Sequence, residues 1–138
     1  MGKTYDQYCP IAMTLDLIGD RWTLLILRDL YFGSHRFSDL LNSSPGMSTK
    51  ILAERLKILE AQGLIGRIVY SEHPLRAEYH LTARGFSLEP VLSAIADWGM
   101  KNLMPAREAE AVRERIDARK RHHARQGTKK AAAPAPAS

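Results

Sequence analysis

Ser48-Thr49-Lys50-Ile51-Leu52-Ala53-Glu54-Arg55-Leu56-Lys57-Ile58-Leu59-Glu60-Ala61-Gln62 is a helix that carries its own start and stop signals. Ser48 stands where an N-cap belongs, its hydroxyl able to accept from an orphan amide of the first turn, and Met47 is placed to staple onto Leu52. Gly63 supplies a left-handed stop. On a helical wheel Ile51, Leu52, Leu56, Ile58 and Leu59 gather on one side, and Thr49, Lys50, Ala53, Glu54, Lys57 and Glu60 on the other. The first side is a core face. The second, small at Ala53 and polar around it, suits a major groove and equally suits solvent, so the flanking segments have to decide.

Immediately upstream, Ser34 is positioned to cap a short helix in which Phe37, Leu40 and Leu41 point inward and His35, Arg36, Ser38 and Asp39 outward. Asn42-Ser43-Ser44-Pro45-Gly46 reads as a turn. A short helix, a tight turn and a longer capped helix with a polar outer face form a helix-turn-helix, whose second helix reads the major groove. Downstream the period changes: Leu64–Ser71 and Arg76–Leu81 are strand-forming, with Glu72-His73-Pro74-Leu75 as their connection. The expected register sets Tyr70 against Ala77 and Ile68 against Tyr79, with Arg67, Val69, Ser71, Arg76, Glu78 and His80 on the other surface. A hairpin in this place is a wing.

Farther out, Pro10 opens a short helix with Ile11, Ala12, Leu15 and Ile18 at helical spacing, ending near Gly19. Asp20 caps a second helix, which Trp22, Leu24, Leu25, Ile26, Leu27 and Leu30 make nearly all apolar and which Gly33 ends. Thr82 caps a last core helix that Pro90 kinks or breaks, with Leu88, Val91, Leu92, Ile95, Trp98 and Leu103 in one stripe. That stripe exceeds what a wing needs to cover. Ile11 and Leu15 of the first helix and Leu92, Ile95, Trp98 and Leu103 of the last are therefore candidates for a homodimer interface, with Trp98 as its anchor.

A chain of 138 residues with 45% hydrophobic and 25% charged residues has room for one domain and an extra segment. No apolar run approaches a membrane span. The start, Met1 to Pro10, lacks the apolar core of a signal peptide, so the expected compartment is the cytoplasm. The net charge of +5 invites a nucleic-acid reading, but its placement removes that inference. Residues 1–104 hold equal numbers of acidic and basic side chains, and residues 105–138 carry the whole excess. The expected organisation is a winged helix-turn-helix over 1–104, mainly α with a small β-hairpin, and a basic Ala/Arg-rich tail over 105–138, helical to about Arg125 and disordered from Gly127. The tail reads as solvated or as a non-specific phosphate binder.

Cys9, the single cysteine, excludes a disulfide framework and a Cys-rich zinc site. It is either a small apolar residue beside a helix start or a thiol activated by the amides of that helix. His35, His73 and His80 share no ligand spacing, so neither metal nor cofactor is expected. No Gly-rich phosphate loop or carboxylate pair supports an enzyme. The rival to DNA binding is a winged helix used for protein contacts.

One ordered set of short motifs runs from Tyr8 to about Leu103. It comprises Cys9-Pro10, Gly19-Asp20-Arg21-Trp22, Gly33 with Arg36-Phe37, Gly46-Met47-Ser48 with Leu52, Arg55-Leu56 and Leu59-Glu60, Gly63-Leu64-Ile65 with Arg67, Glu78-Tyr79 with Leu81-Thr82, and Trp98-Gly99. It resembles the HxlR-type winged helix-turn-helix regulators of bacteria, relatives of the MarR type. The resemblance implies a homodimer built from the first and last core helices, double-stranded DNA as partner, and control of transcription from an operator as repressor or activator. It also implies an oxidant, electrophile or other small-molecule signal, with Cys9 at the position of the family's responsive cysteine. Met47 departs from the family's smaller branched residue, and the tail lies outside the pattern.

On that fold the outer face of Ser48–Gln62 is a reading surface. Lys50 is expected to face guanine, Thr49 a thymine methyl or phosphate and Glu54 a cytosine amine, with Ser48, Ala53 and Lys57 beside them. Arg36 and Ser38 are phosphate candidates, and Arg76 at the wing tip suits a minor groove or phosphate. Arg55, on the core side, needs a carboxylate or carbonyl. Arg67 is expected to pair diagonally with Glu78.

Overall fold

Pro10 sets the first turn of α1 (Pro10–Ile18), and the chain turns at Gly19 toward α2 (Thr23–Tyr31) in a computed structural model that describes residues 8–131. The Asp20 carboxylate caps α2 from just ahead of it, accepting from the N–H groups of Trp22 at 2.9 Å and Thr23 at 3.0 Å and from the Thr23 hydroxyl. Helix α3 (Phe37–Ser43) and helix α4 (Thr49–Ala61) are joined by a turn in which Gly46 takes a φ of +93°, a conformation that disfavours a side chain. The Ser48 hydroxyl accepts from the Ile51 N–H at 3.1 Å, and Gly63, at φ +71°, turns the chain out of α4. Strands β1 (Ile65–Glu72) and β2 (Leu75–Leu81) form an antiparallel hairpin, followed by the single turn α5 (Ala83–Phe86), α6 (Glu89–Asn102) and α7 (Ala106–Ala131).

Two compact units divide between Glu89 and Pro90. The first is built around Ile18, Ile26, Leu27, Leu30, Leu40, Met47, Leu52, Leu56, Leu59, Leu64 and Ile65, all buried. Leu52, Leu56 and Leu59 recur at four and three residues, so α4 is held by one stripe and leaves its opposite side to solvent. In the second unit α7 runs back beside α6: Arg113 lies 3.8 Å from Asp97, and the Lys120 ammonium donates to the Ser93 hydroxyl at 3.2 Å. Ala109, Val112, Ile116 and Lys120, three or four residues apart, are the less exposed line of α7.

The structure corrects several expectations. Helix α3 starts at Phe37 with Arg36, not Ser34, as its N-cap and no side-chain cap. His35 and Arg36 are drawn into extended pairing with β2 instead, where the Tyr79 N–H donates to the His35 carbonyl at 2.8 Å and Arg36 bridges Glu78. Ile58 is 43% exposed rather than core, because it borders an open groove with Leu17, Leu64 and Leu88. At the hairpin tip Ser71 faces Arg76 as expected, but Tyr70 is a bulge. The extra residue shifts the remaining pairs by one, so Val69 faces Ala77, Ile68 faces Glu78 and Arg67 faces Tyr79. Arg67 and Glu78 thereby fall on opposite faces and cannot form the expected pair.

Pro90 acts as a break: Thr82 caps only α5, its hydroxyl accepting from the Gly85 N–H at 3.1 Å, and α6 starts anew at Glu89 with Pro90 in its first turn. The disorder expected from Gly127 gives way to helix through Ala131. The Ala/Pro repeats of 132–138 and the N-terminal stretch through Gln7 lie outside the described residues.

Candidate nucleic-acid interface

Thr49, Lys50, Ala53, Glu54 and Lys57 are all exposed on the outer side of α4, opposite its buried leucines. They occupy successive turns, which places them along one face about 12 Å long at 1.5 Å per residue. Ala53 near the middle removes the side-chain bulk that would hold the helix axis away from a groove floor. Ser48 is exposed too, but its hydroxyl is engaged in the cap. The N-terminal end of α4 carries the positive end of the helix dipole, an environment suited to phosphate. Lys50 and Lys57 are balanced by Glu54 and Glu60 on the exposed surface, so this helix offers a pattern of donors and acceptors rather than net charge.

The helix is aimed from behind by Arg55. Its Nη1 lies 3.6 Å from Asp20 Oδ2, tying the middle of α4 to the cap of α2. Of the two partners expected for an arginine on the core side, a carboxylate or a carbonyl, it is the carboxylate. Burial alone pushes the Asp20 carboxyl up, but the Thr23 hydroxyl, the Trp22 and Thr23 N–H groups and the Arg55 charge outweigh it, and the group lies below its ordinary value. Arg55 Nε is buried without a partner among the described residues, so the guanidinium is held by one end.

The wing is anchored by a cluster that the linear sequence did not disclose. The His35 Nδ1 lies 2.9 Å from the Tyr79 carbonyl and pairs with the main-chain bond already described, so the segment before α3 is stitched to β2. His35 stacks on His80 with centroids 4.0 Å apart, and His80 Nε2 is 3.1 Å from Glu78 Oε2. Arg36 places its Cζ 5.4 Å from the Tyr70 ring centroid and its Nε 4.0 Å from Glu78 Oε1. The bulge that upsets the register is thus what brings Tyr70 to Arg36. Because its side chain remains 56% exposed, Arg36 is both a clamp and a surface cation.

Ser38, in the first turn of α3, and Arg76, beside the His73-Pro74 turn of the hairpin, are exposed. The structure therefore presents α4, the start of α3 and the wing tip as separate polar surfaces of one unit. The only hint of the histidine contact lay in the alternation of β2, which puts Glu78 and His80 on one face. No spacing rule could have supplied His35 as their partner.

Cys9, exposed, occupies the N-cap position of α1 without a side-chain cap bond. Ile11 and Leu15 of α1 are 71% and 58% exposed, and Ile95 and Trp98 of α6 are 51% and 59% exposed. Leu103, just past α6, is exposed and Leu92 half-buried. Among the described residues there is no group of His, Cys, Asp or Glu that could hold a metal ion, and no helix long and apolar enough to cross a membrane.

Comparison with known proteins gives one consistent set of likenesses. The family model for the HxlR-like helix-turn-helix matches residues 17–107. An HTH-type transcriptional regulator of Synechocystis sp., sll1512, is 48% identical over 94 residues, covering 65% of this chain and 70% of that protein. The crystal structure of a MarR-family transcriptional regulator from Porphyromonas gingivalis W83 is 36% identical with a TM-score of 0.64, and the match covers 74% of this chain and 100% of that one. The redox regulator HypR in its reduced form is 34% identical, with a TM-score of 0.64 over 67% of this chain and 92% of its own.

Proposed function

The chain belongs to the HxlR-like helix-turn-helix family, and on that premise we propose that it is a sequence-specific transcriptional regulator that binds a palindromic or pseudopalindromic operator as a homodimer. The observation that carries this reading is α4 itself: Ser48 caps it, three leucines and the Arg55–Asp20 pair fix its axis, and its free face is polar with a small residue at the centre. Lys50, Thr49 and Glu54 read base edges, with Ala53 allowing close approach and Ser48 and Lys57 flanking them. Arg36 and Ser38 hold backbone phosphates, and Arg76 on the wing contacts the neighbouring groove or its phosphates.

Ile11, Leu15, Leu92, Ile95, Trp98 and Leu103 supply the apolar contact between protomers. Several of these large side chains are exposed in the single chain, the feature expected of a surface that a second copy covers. Two-fold symmetry then sets half-sites about 34 to 36 Å apart, or a multiple of that.

The experiment is selection of bound fragments from genomic DNA with the purified protein, followed by titration of the recovered duplex. Wild type is expected to prefer it over shuffled sequence by about a thousandfold or more. Lys50→Ala is expected to relax base preference at one position in each half-site, and Arg76→Ala to weaken all sequences alike. Equal affinity for selected and shuffled DNA, or a monomer at micromolar concentration, overturns the reading.

The likeness to a redox regulator, together with the exposed thiol at the start of α1, supports a second element. Oxidation or alkylation of Cys9 alters the contact made by the two α1 helices and releases the operator. Diamide is expected to weaken binding by wild type and to leave Cys9→Ser unaffected. An identical response from both proteins removes Cys9 from the mechanism.

A further inference from the structure

All but the first two residues of α7 lie beyond the part of the chain that matches the family, and this helix carries a charge distribution that folding alone does not favour. Its first half mixes Arg107, Arg113 and Arg115 with Glu108, Glu110, Glu114 and Asp117. From Ala118 to Ala131 it holds Arg119, Lys120, Arg121, Arg125, Lys129 and Lys130 and no acid at all. Arg121, Arg125 and Lys129 follow one another at four-residue intervals, the spacing at which like charges destabilise a helix. Asp117 is the one acid within four residues of Arg121, and Arg125, Lys129 and Lys130 have none within that reach. Cations near a helix C-terminus gain a little from the dipole, but that gain is confined to the last turn.

The packing adds direction. Lys120 is bonded to Ser93 near the start of α6, and α7 runs antiparallel to α6, so the residues after Lys120 pass and then leave the N-terminal end of α6. Beyond Lys120 the helix therefore has progressively less of α6 alongside it. Arg121 and Arg125 are exposed.

We propose that the acid-free half of α7, residues 118–131, is a second DNA-contacting element that grips backbone phosphates without regard to sequence. The proposal rests on the DNA-binding reading above and assigns it a division of labour: α4 supplies discrimination, and α7 supplies most of the electrostatic affinity. DNA is the anion favoured here because the rest of the chain, with 14 basic and 15 acidic side chains, has no net positive charge to supply that term.

The test compares wild type with a variant in which Arg121, Arg125, Lys129 and Lys130 are all changed to Gln, a substitution of similar helix propensity. Helix content by circular dichroism is read first, and a second variant with Arg121→Lys and Arg125→Lys keeps the charge. Both are titrated across a salt series against the selected duplex and a shuffled duplex of equal length. The Gln variant is expected to bind both duplexes about tenfold or more weakly, and its plot of log affinity against log salt is expected to flatten by about 0.9 for each phosphate it no longer neutralises. The Lys variant is expected to retain the wild-type slope.

An unchanged slope in a Gln variant that remains helical overturns the proposal and leaves the operator reading intact. Loss of binding by the Gln variant, in a protein whose wild type never discriminates selected from shuffled DNA, does the reverse. If a structured RNA of equal length binds wild type about tenfold more tightly than either duplex, and the Gln change abolishes that preference, the assignment to DNA is overturned.

Discussion

Helices α4 and α7 are both rich in charge, yet they are built on different principles. Helix α4 has 13 residues, a side-chain cap and three buried leucines, and its exposed charges are mixed in sign. Helix α7 has twice the length, no fully buried residue among those whose side chains are described, and charges sorted along its axis. A surface that must place particular donors opposite particular base edges needs a rigid support within fractions of an ångström. A surface that meets a phosphate backbone needs only charge within reach. On the proposed reading, packing serves specificity at α4 and charge alone suffices at α7.

The contrast breaks most visibly at Leu56. Leu56→Ala removes a fully packed side chain from under α4 and is expected to cost about 2 to 5 kcal/mol of unfolding free energy by urea titration. A loss near zero would mean that α4 is no better seated than α7.

Next in size is the cap network. Asp20→Ala strands the buried Thr23 hydroxyl and frees Arg55, with an expected loss of about 1 to 3 kcal/mol at neutral pH. Because the folded Asp20 carboxyl lies below its ordinary value, its contribution is complete above the unfolded value of about 4 and disappears as pH falls through the lower, folded one. The difference between wild type and variant is therefore expected to narrow as pH is lowered below about 4. A gap that stays constant down to acid unfolding would show that the carboxylate charge is not what holds the pair.

Ser48→Ala sharpens the comparison at smaller scale, with about 1 kcal/mol expected from loss of the cap. Smallest of all, Lys129→Gln with Lys130→Gln is expected to move stability by no more than about 0.5 kcal/mol and, on the role proposed for residues 118–131, to flatten the salt dependence of DNA binding.

Most of the fold was legible because its punctuation is local. Ser48, Gly63, Thr82 and the Pro10 turn each act within one helical turn, and the leucine stripe of α4 repeats at the period of the helix. What was not legible depends on contacts between distant segments. Nothing near Ser34 indicates that His35 and Arg36 will pair with a strand more than forty residues later, so a helix start was expected there. Tyr70 is a good strand residue by composition, and only the packing of its ring against Arg36 distinguishes a bulge from a regular pair.

Of the site, the polar outer face of α4 and the need of Arg55 for a carboxylate or carbonyl could be derived from the wheel, which left open what that face meets. The partners of Arg36 were not legible, because they come from both strands of the hairpin. Ile58 illustrates the intermediate case: periodicity assigns it to the apolar side, but an apolar side wider than the core it covers leaves one residue at the rim.

The attachment of the hairpin base has a kinetic consequence. Tyr79 is bonded through both its N–H and its carbonyl to His35, whereas Leu75 and Arg76 at the tip are exposed and pair with β1. Amide hydrogen exchange should accordingly be slow at Tyr79 and fast at the tip. Motion of the wing would then be fast, local fraying near Arg76 rather than swinging of the whole hairpin, leaving that arginine free to sample neighbouring positions on nanosecond timescales while α4 stays in register.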